Sequence, residues 1–130
     1  MDDLPQALPR APIRSHRDLV VWQKAMDLAV LVYELADRFP NAEMYRLTAQ
    51  ITRAAASVPA NIAEGSVRAT ARDYGNFLAI ACGSLMETET FVMLAIRRNY
   101  VRQDDAEPAL ALLTEVSKML TVLRNRLLRR

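Results

Sequence analysis

The sequence predicts an all-α protein, an antiparallel up-down-up-down four-helix bundle with a Pro-kinked second helix. Three observations carry that expectation. Hydrophobic residues make up 52% of the chain and only 3 glycines are present, and the segments between turn signals are rich in Ala, Leu, Arg, Glu and Met, a composition that favours helices. Apolar residues recur at alternating threes and fours, whereas no segment shows the period-two alternation of a strand. The connections are short, which makes sequential helices antiparallel neighbours.

Residues 1–14 alternate Pro with Leu and Ala without a sustained period and read as a flexible Pro-rich tail, so the bundle domain is expected over residues 15–130. Ser15 followed by Asp18 resembles a capping box, in which hydroxyl and carboxylate satisfy orphan backbone N–H groups of a first helical turn. Helix 1 is expected to run to Phe39, stopped by Pro40. It has two apolar seams: Leu19, Trp22, Met26, Ala29, Tyr33 and Ala36 on one, and Val21, Ala25, Leu28, Val32, Leu35 and Phe39 on the other. A single seam suffices to pack a helix into a bundle, so the second predicts a subunit interface, with Val32 on its outward side. The bland alternative is that helix 1 is the most buried helix of a monomer.

Helix 2 is expected over residues 42–63. Pro59 removes one helical donor and presses on the carbonyl of Ala55, predicting a kink or a break with Ser57 capping a second piece. Gly65 is placed as the left-handed residue that ends the helix. Helix 3 is expected over residues 71–99 with Thr70 as its cap. Asp104 or Asp105 caps helix 4, with Pro108 in its first turn, and Leu110, Leu113, Ser117, Leu120 and Leu127 line one face.

The three segments Arg17–Val30 (RDLVVWQKAMDLAV), Ser57–Gly65 (SVPANIAEG) and Gly83–Thr90 (GSLMETET) resemble a bacterial four-helix bundle family. It includes the protein encoded in intervening sequences of large-subunit ribosomal RNA genes and is related to the accessory protein of diversity-generating retroelements. The resemblance covers nearly everything from Ser15 to Leu128. It implies a bundle that assembles into a ring-shaped homopentamer, with RNA or nucleoprotein binding proposed for some members and no enzymatic activity. Where relatives often carry an aromatic residue at the start of helix 1 this chain has His16, and no binding role is transferred to it.

Catalysis, cofactors and metals find no support in the residues themselves. A di-metal carboxylate bundle needs Glu-x-x-His pairs on two helices, and the only histidine is His16. Glu87 and Glu89 differ by about 200° of rotation on a helix and so point to different faces. Cys82 lies on an apolar seam with no base within a turn to lower its pKa, and the glycines at 65, 75 and 83 are too dispersed for a phosphate loop. No site for a small-molecule substrate is expected.

The carboxylates beside apolar residues need partners. Antiparallel pairing of helices 2 and 3 places Arg53 near Ser84, predicting an internal ion pair of Arg53 with Glu87 or Glu89. Asn61 is expected at the kink, satisfying backbone groups or lining a small polar pocket.

Of 17 basic residues 15 are arginine, and Arg124, Arg126, Arg129 and Arg130 fall in an acid-free terminal segment. They are the candidates for phosphate contacts to RNA or DNA, although cations also offset the partial negative charge of a helix C-terminus. Arg97, Arg98 and Arg102 are expected at the opposite end of the bundle. Neither cluster has interleaved aromatics, which speaks against base stacking.

The net charge of +2 is too small to identify a nucleic-acid partner alone. The single Cys82 makes no intramolecular disulfide, so the expected compartment is the cytoplasm. The opening MDDLPQALPRAP does not read as a secretory signal, and the apolar run from Phe77 to Met86 is short of the roughly 20 residues of a membrane span. Two functions are therefore expected in order: an oligomeric bundle binding RNA or DNA, then a protein scaffold with the Pro-rich tail as a docking segment.

Overall fold

The computed structural model describes residues 15–129. Four helices follow in order, α1 (Val20–Ala36), α2 (Leu47–Ser66), α3 (Ala71–Arg97) and α4 (Gln103–Leu128), with short 3-10 turns at His16–Asp18 and Asn41–Glu43. The expected tail at 1–14 and Arg130 lie outside the described residues.

Each helix packs on its sequential neighbours, and α4 returns to close the bundle against α1. Ion pairs Lys24–Glu115 at 2.9 Å and Arg38–Asp105 at 2.8 Å show α1 and α4 running in opposite directions. In the same way, Ser57 of α2 meets Ser84 of α3 at 2.8 Å while Gly65 meets Phe77 and Tyr74. Leu28, Val32, Ile51, Val58, Ile62, Leu78, Leu85, Val92, Leu113, Val116 and Leu120 fill the space between the helices and are buried.

The two seams of α1 have different fates. Val21, Ala25, Leu28, Val32, Leu35 and Phe39 form the core face, so Val32, at 0% exposure, belongs to the protomer's interior and is not on an outward seam. Met26 and Tyr33 of the other seam stay 41% and 47% exposed. The Ser15 hydroxyl accepts the Arg17 N–H at 3.2 Å, which caps the 3-10 turn and not α1. α1 ends at Ala36, before Phe39 and Pro40. Phe39 is nevertheless buried, because the loop folds it back onto the core.

Pro40–Glu43 fold into a tight turn, which delays α2 to Leu47 instead of the expected Ala42. The helix then continues unbroken through Pro59. Ser57 therefore caps no second piece, and its hydroxyl bridges to α3 instead. Gly65 is not the left-handed terminus either. It lies within α2, and no described glycine has positive φ. Its role is close approach: a Cβ there would come within 2.8 Å of the Phe77 Cβ and 3.0 Å of the Tyr74 ring.

Thr70 caps α3 as expected, its hydroxyl accepting the Asp73 N–H at 3.1 Å. The left-handed residue is found at the other end of that helix, at Asn99 with φ of 62°. Tyr100 N–H donates to the Ala95 carbonyl at 2.9 Å and Asn99 N–H to Ile96 at 3.0 Å, a Schellman stop that asparagine tolerates. By length and composition α3 alone among the described helices would suit a membrane span, with 33% of its most apolar window buried. That buried face, from Leu78 to Ala95, packs against the rest of the bundle.

α4 starts after Arg102 with no side-chain cap. Asp104 and Asp105 lie in its first turn, where they favour the positive end of the helix dipole. Pro108 sits one turn further in than expected, and its missing N–H leaves the Asp104 carbonyl without a helical donor.

Two glycine substitutions should separate contact from propensity. Gly65→Ala gains up to about 1 kcal/mol of helix propensity but overpacks against a backbone-anchored Cβ at a cost of about 1 to 3 kcal/mol, giving a net loss. Gly83→Ala meets open space and should gain about 0.5 to 1 kcal/mol. Urea unfolding of both variants checks this. A stabilised Gly65→Ala would mean that α2 and α3 separate at no cost.

Candidate functional site

The up-down course brings three separate stretches to one end of the bundle: the 3-10 turn before α1, the α2–α3 turn and the end of α4. Arg17, Arg68, Arg72, Arg124, Arg126 and Arg129 are gathered there with three acids, Asp18, Glu64 and Asp73. The opposite end balances Arg38, Arg46, Arg97, Arg98 and Arg102 against six acids, Glu34, Asp37, Glu43, Asp104, Asp105 and Glu107.

Arg126 and Arg129 are exposed, as are Arg17 and Arg72. Arg126 and Lys118 lie on the rim of a groove of about 430 Å³ between the end of α4 and the start of α1, which Asp18 also lines. Arg68 is held in place by Glu64 at 2.7 Å and by stacking 4.5 Å from the centre of the Phe77 ring. Arg124 differs from its neighbours: it is half-buried, and its Nε is buried with no hydrogen-bond partner. Arg130 lies outside the described residues.

Reading α4 alone reveals only its own arginines. The contributions of Arg17, Arg68 and Arg72 depend on chain reversal between helices, and the short loops were the available signal.

Between α2 and α3 the segments Ser57–Gly65 and Gly83–Thr90 meet at Ser57 and Ser84. Ser57 and Ser84 share a hydrogen bond, and the Asn61 amide donates to the Ser57 carbonyl at 2.8 Å and hydroxyl at 2.9 Å. Asn61 thus satisfies backbone, one of its two expected roles. Arg53 and Glu87 do line one groove with these serines, in the expected antiparallel register. They form no internal ion pair, however: both are exposed, and among the described residues neither Arg53 nor the half-buried Glu89 has an ion-pair partner. Water solvates these charges, so burial does not force them together.

The buried carboxylate is instead Glu43, 6% exposed. Its Oε1 accepts the Leu47 N–H at 3.2 Å, which caps α2. Oε2 accepts the Tyr100 hydroxyl at 2.6 Å and Arg46 Nη2 at 3.0 Å. Arg98 donates to the same hydroxyl at 3.3 Å, and the Tyr100 ring leans on Phe39 with centroids 5.6 Å apart. The Tyr100 hydroxyl, then the Leu47 N–H, then Arg46 and Arg98 hold the carboxyl below its ordinary range, outweighing the opposing effect of burial. Sequence reading missed this cluster because Tyr100 lies 57 positions away.

Among the described residues no group of three or more His, Cys, Asp or Glu side chains is arranged to hold a metal ion. What the surface offers is a set of exposed guanidinium groups at the arginine-bearing end and a polar groove between α2 and α3. The family model for the 23S rRNA-intervening sequence protein matches residues 17–122. The chain belongs to that family. It is also similar to a protein of unknown function from the S23 ribosomal protein family of Bacteroides thetaiotaomicron, known from a crystal structure. The two share 30% identity and a TM-score of 0.75, over 81% of this chain and 98% of the other. No curated protein matches.

For this intervening-sequence family member, the Glu43 cluster makes stability pH-dependent in a definite direction. A carboxyl whose folded pKa is lowered stabilises the fold above its unfolded value of about 4.5, and that stabilisation is lost as pH falls through the folded value. Thermal melts from about pH 7 down to about pH 3 should therefore show a drop at the acid end that Glu43→Gln flattens. Superimposable profiles for the two proteins would remove Glu43 as the cause.

Proposed function

We propose that this chain is a non-catalytic, self-assembling helical bundle that contacts RNA or DNA through its arginine-bearing end. The observation that carries the reading is the convergence of Arg17, Arg68, Arg72, Arg126 and Arg129 from three stretches of chain onto one end, while the other end is balanced. Arginine forks suit phosphate oxygens, and among the described residues the aromatics near these arginines, Tyr74 and Phe77, are half-buried, which predicts backbone contacts without base readout. The family's name links it to intervening sequences of 23S rRNA, which favours RNA. Self-assembly is supported by the exposed apolar residues left on α1 and α3, and the resemblance implies five subunits. A ring would repeat the arginine-bearing end and turn weak phosphate contacts into polyvalent binding. The lone cysteine fits a cytoplasmic setting.

A protein scaffold is the second reading, favoured by Tyr45 at 89% exposure and Met44 at 51% beside Arg46. Aromatic and arginine side chains of that kind anchor protein interfaces.

Substitution tests the first reading better than truncation. Removing the chain beyond Leu123 would also delete Leu127, which is buried. The exposed pair Arg126→Glu and Arg129→Glu should leave helical circular dichroism intact and weaken retardation of RNA and duplex DNA alike. The log–log salt slope on duplex DNA should become shallower by about 0.9 for each phosphate that is no longer neutralised. Failure of the unaltered protein to retard any nucleic acid at low salt, or an unchanged affinity in the double variant, would leave the scaffold reading in front.

A further inference from the structure

The bundle leaves apolar side chains exposed on two helices that lie diagonally across from each other. On α1 these are Met26 at 41%, Val30 at 55% and Tyr33 at 47%; on α3 they include Met86 at 45% and Met93 at 44%. Outward positions of α2 and α4 are mostly charged, polar or small by comparison: Gln50, Arg53, Ala60 and Glu64 on one, Thr114, Glu115, Lys118 and Arg126 on the other; α4 also exposes Val122 at 49% and Leu128 at 68%, but these two lie six positions apart and do not form a row.

The two exposed stripes have the same sequence geometry. Met26, Val30, Tyr33 and Asp37 step by four, three and four residues, and so do Met86, Thr90, Met93 and Arg97. Steps of this kind keep a row of side chains on one helix face and suit side-by-side packing of two helices. The Thr90 hydroxyl donates to the Met86 carbonyl at 2.8 Å and is satisfied within its own helix. The charges at the ends of the stripes are opposite. Asp37 closes the α1 row and Arg97 the α3 row, both are exposed, and neither has an ion pair among the described residues.

Helices α1 and α3 also run in the same direction, because two reversals, into α2 and out of it, separate them. We propose that the α1 row of one protomer packs in parallel against the α3 row of a second copy, Met26 beside Met86, Tyr33 beside Met93 and Asp37 paired with Arg97. This rests on the self-assembly reading above and adds to it the surfaces that meet. The two rows are different patches on opposite sides of the protomer, so the contact is heterologous and repeats from copy to copy, into a ring where the turn per copy divides a full circle and into a filament where it does not. An isologous dimer would bring one patch against itself. It would then set Asp37 against Asp37 or Arg97 against Arg97 in a parallel pairing, or leave these charges without partners.

Tyr33→Glu and Met93→Glu change one row each at exposed positions, and helical circular dichroism confirms that the fold survives. Native mass spectrometry should show the unaltered protein as an oligomer and each variant alone as a monomer of 14.6 kDa. Mixed in equal amounts, the two variants retain one good α1 row and one good α3 row between them, so they should form a heterodimer that grows no further. Asp37→Arg and Arg97→Asp should each weaken the oligomer, and the two changes in one chain should restore it. An unaltered protein that stays monomeric would overturn the self-assembly reading itself. An oligomer that survives Tyr33→Glu or Met93→Glu, or variants that fail to complement, would overturn this interface alone.

Discussion

Close approach of α2 to α3 is the constraint on which the rest of the bundle depends. At Gly65 there is no room for a methyl group, since Phe77 Cβ and the Tyr74 ring already occupy its place. Further along the seam, the Ser57 and Ser84 hydroxyls meet at 2.8 Å. Small residues at these points let two backbones come together, and the hydrogen-bonded hydroxyls avoid the cost of burying polar groups without partners. Tyr74 is drawn into the packing far enough that burial pushes its phenol pKa up. With α2 and α3 fixed as a pair, α1 and α4 close the remaining two sides. Short loops then decide which chain ends and turns share an end of the molecule.

The end that carries the first and third connections is secured by a different device. Asn99 in the left-handed region reverses the chain after α3, which returns Tyr100 onto the Glu43 carboxylate and against Phe39. One carboxylate thereby ties the α1–α2 loop, the start of α2 and the α3–α4 loop together. A neutral hydrogen-bonded side chain in its place would keep the shape but lose the charge that attracts Arg46 and strengthens the short bond from Tyr100.

Sequence periodicity made the four helices, their antiparallel order and most of their buried faces legible. The Thr70 cap and the register that sets Arg53 beside Ser84 and Glu87 follow from spacing along one or two helices, whereas spacing gave α1 two apolar rows without showing that the row of Val32 faces the core. Features that rest on three-dimensional proximity were illegible. Gly65 has the sequence appearance of a helix terminus, yet it serves a contact with residues on another helix, and the true left-handed stop is an asparagine. The pairing of buried acid and base was sought at Arg53 and Glu87, where solvent access makes it unnecessary, and was missed at Glu43, whose partners come from a distant loop. For the candidate nucleic-acid surface, half was legible: the α4 arginines were plain, but Arg17, Arg68 and Arg72 join them only through the fold. Arg124 was legible as a charge while its inward placement was not.

The two proposed surfaces constrain each other. A parallel contact between α1 of one protomer and α3 of the next keeps all the bundles pointing the same way. Every arginine-bearing end would then lie on one face of the assembly and every balanced, Glu43-pinned end on the other. Antiparallel pairing would alternate the ends and dilute the positive field. In the parallel arrangement the repeated patches would act on one strand of nucleic acid at high effective concentration. Each need contribute only a few phosphate contacts, and the salt dependence of the whole grows with the number of patches engaged. For a protomer whose net charge is only +2, such repetition is the way a modest patch would gain affinity. The apolar rows on α1 and α3 are thus as much a part of the binding hypothesis as the arginines are.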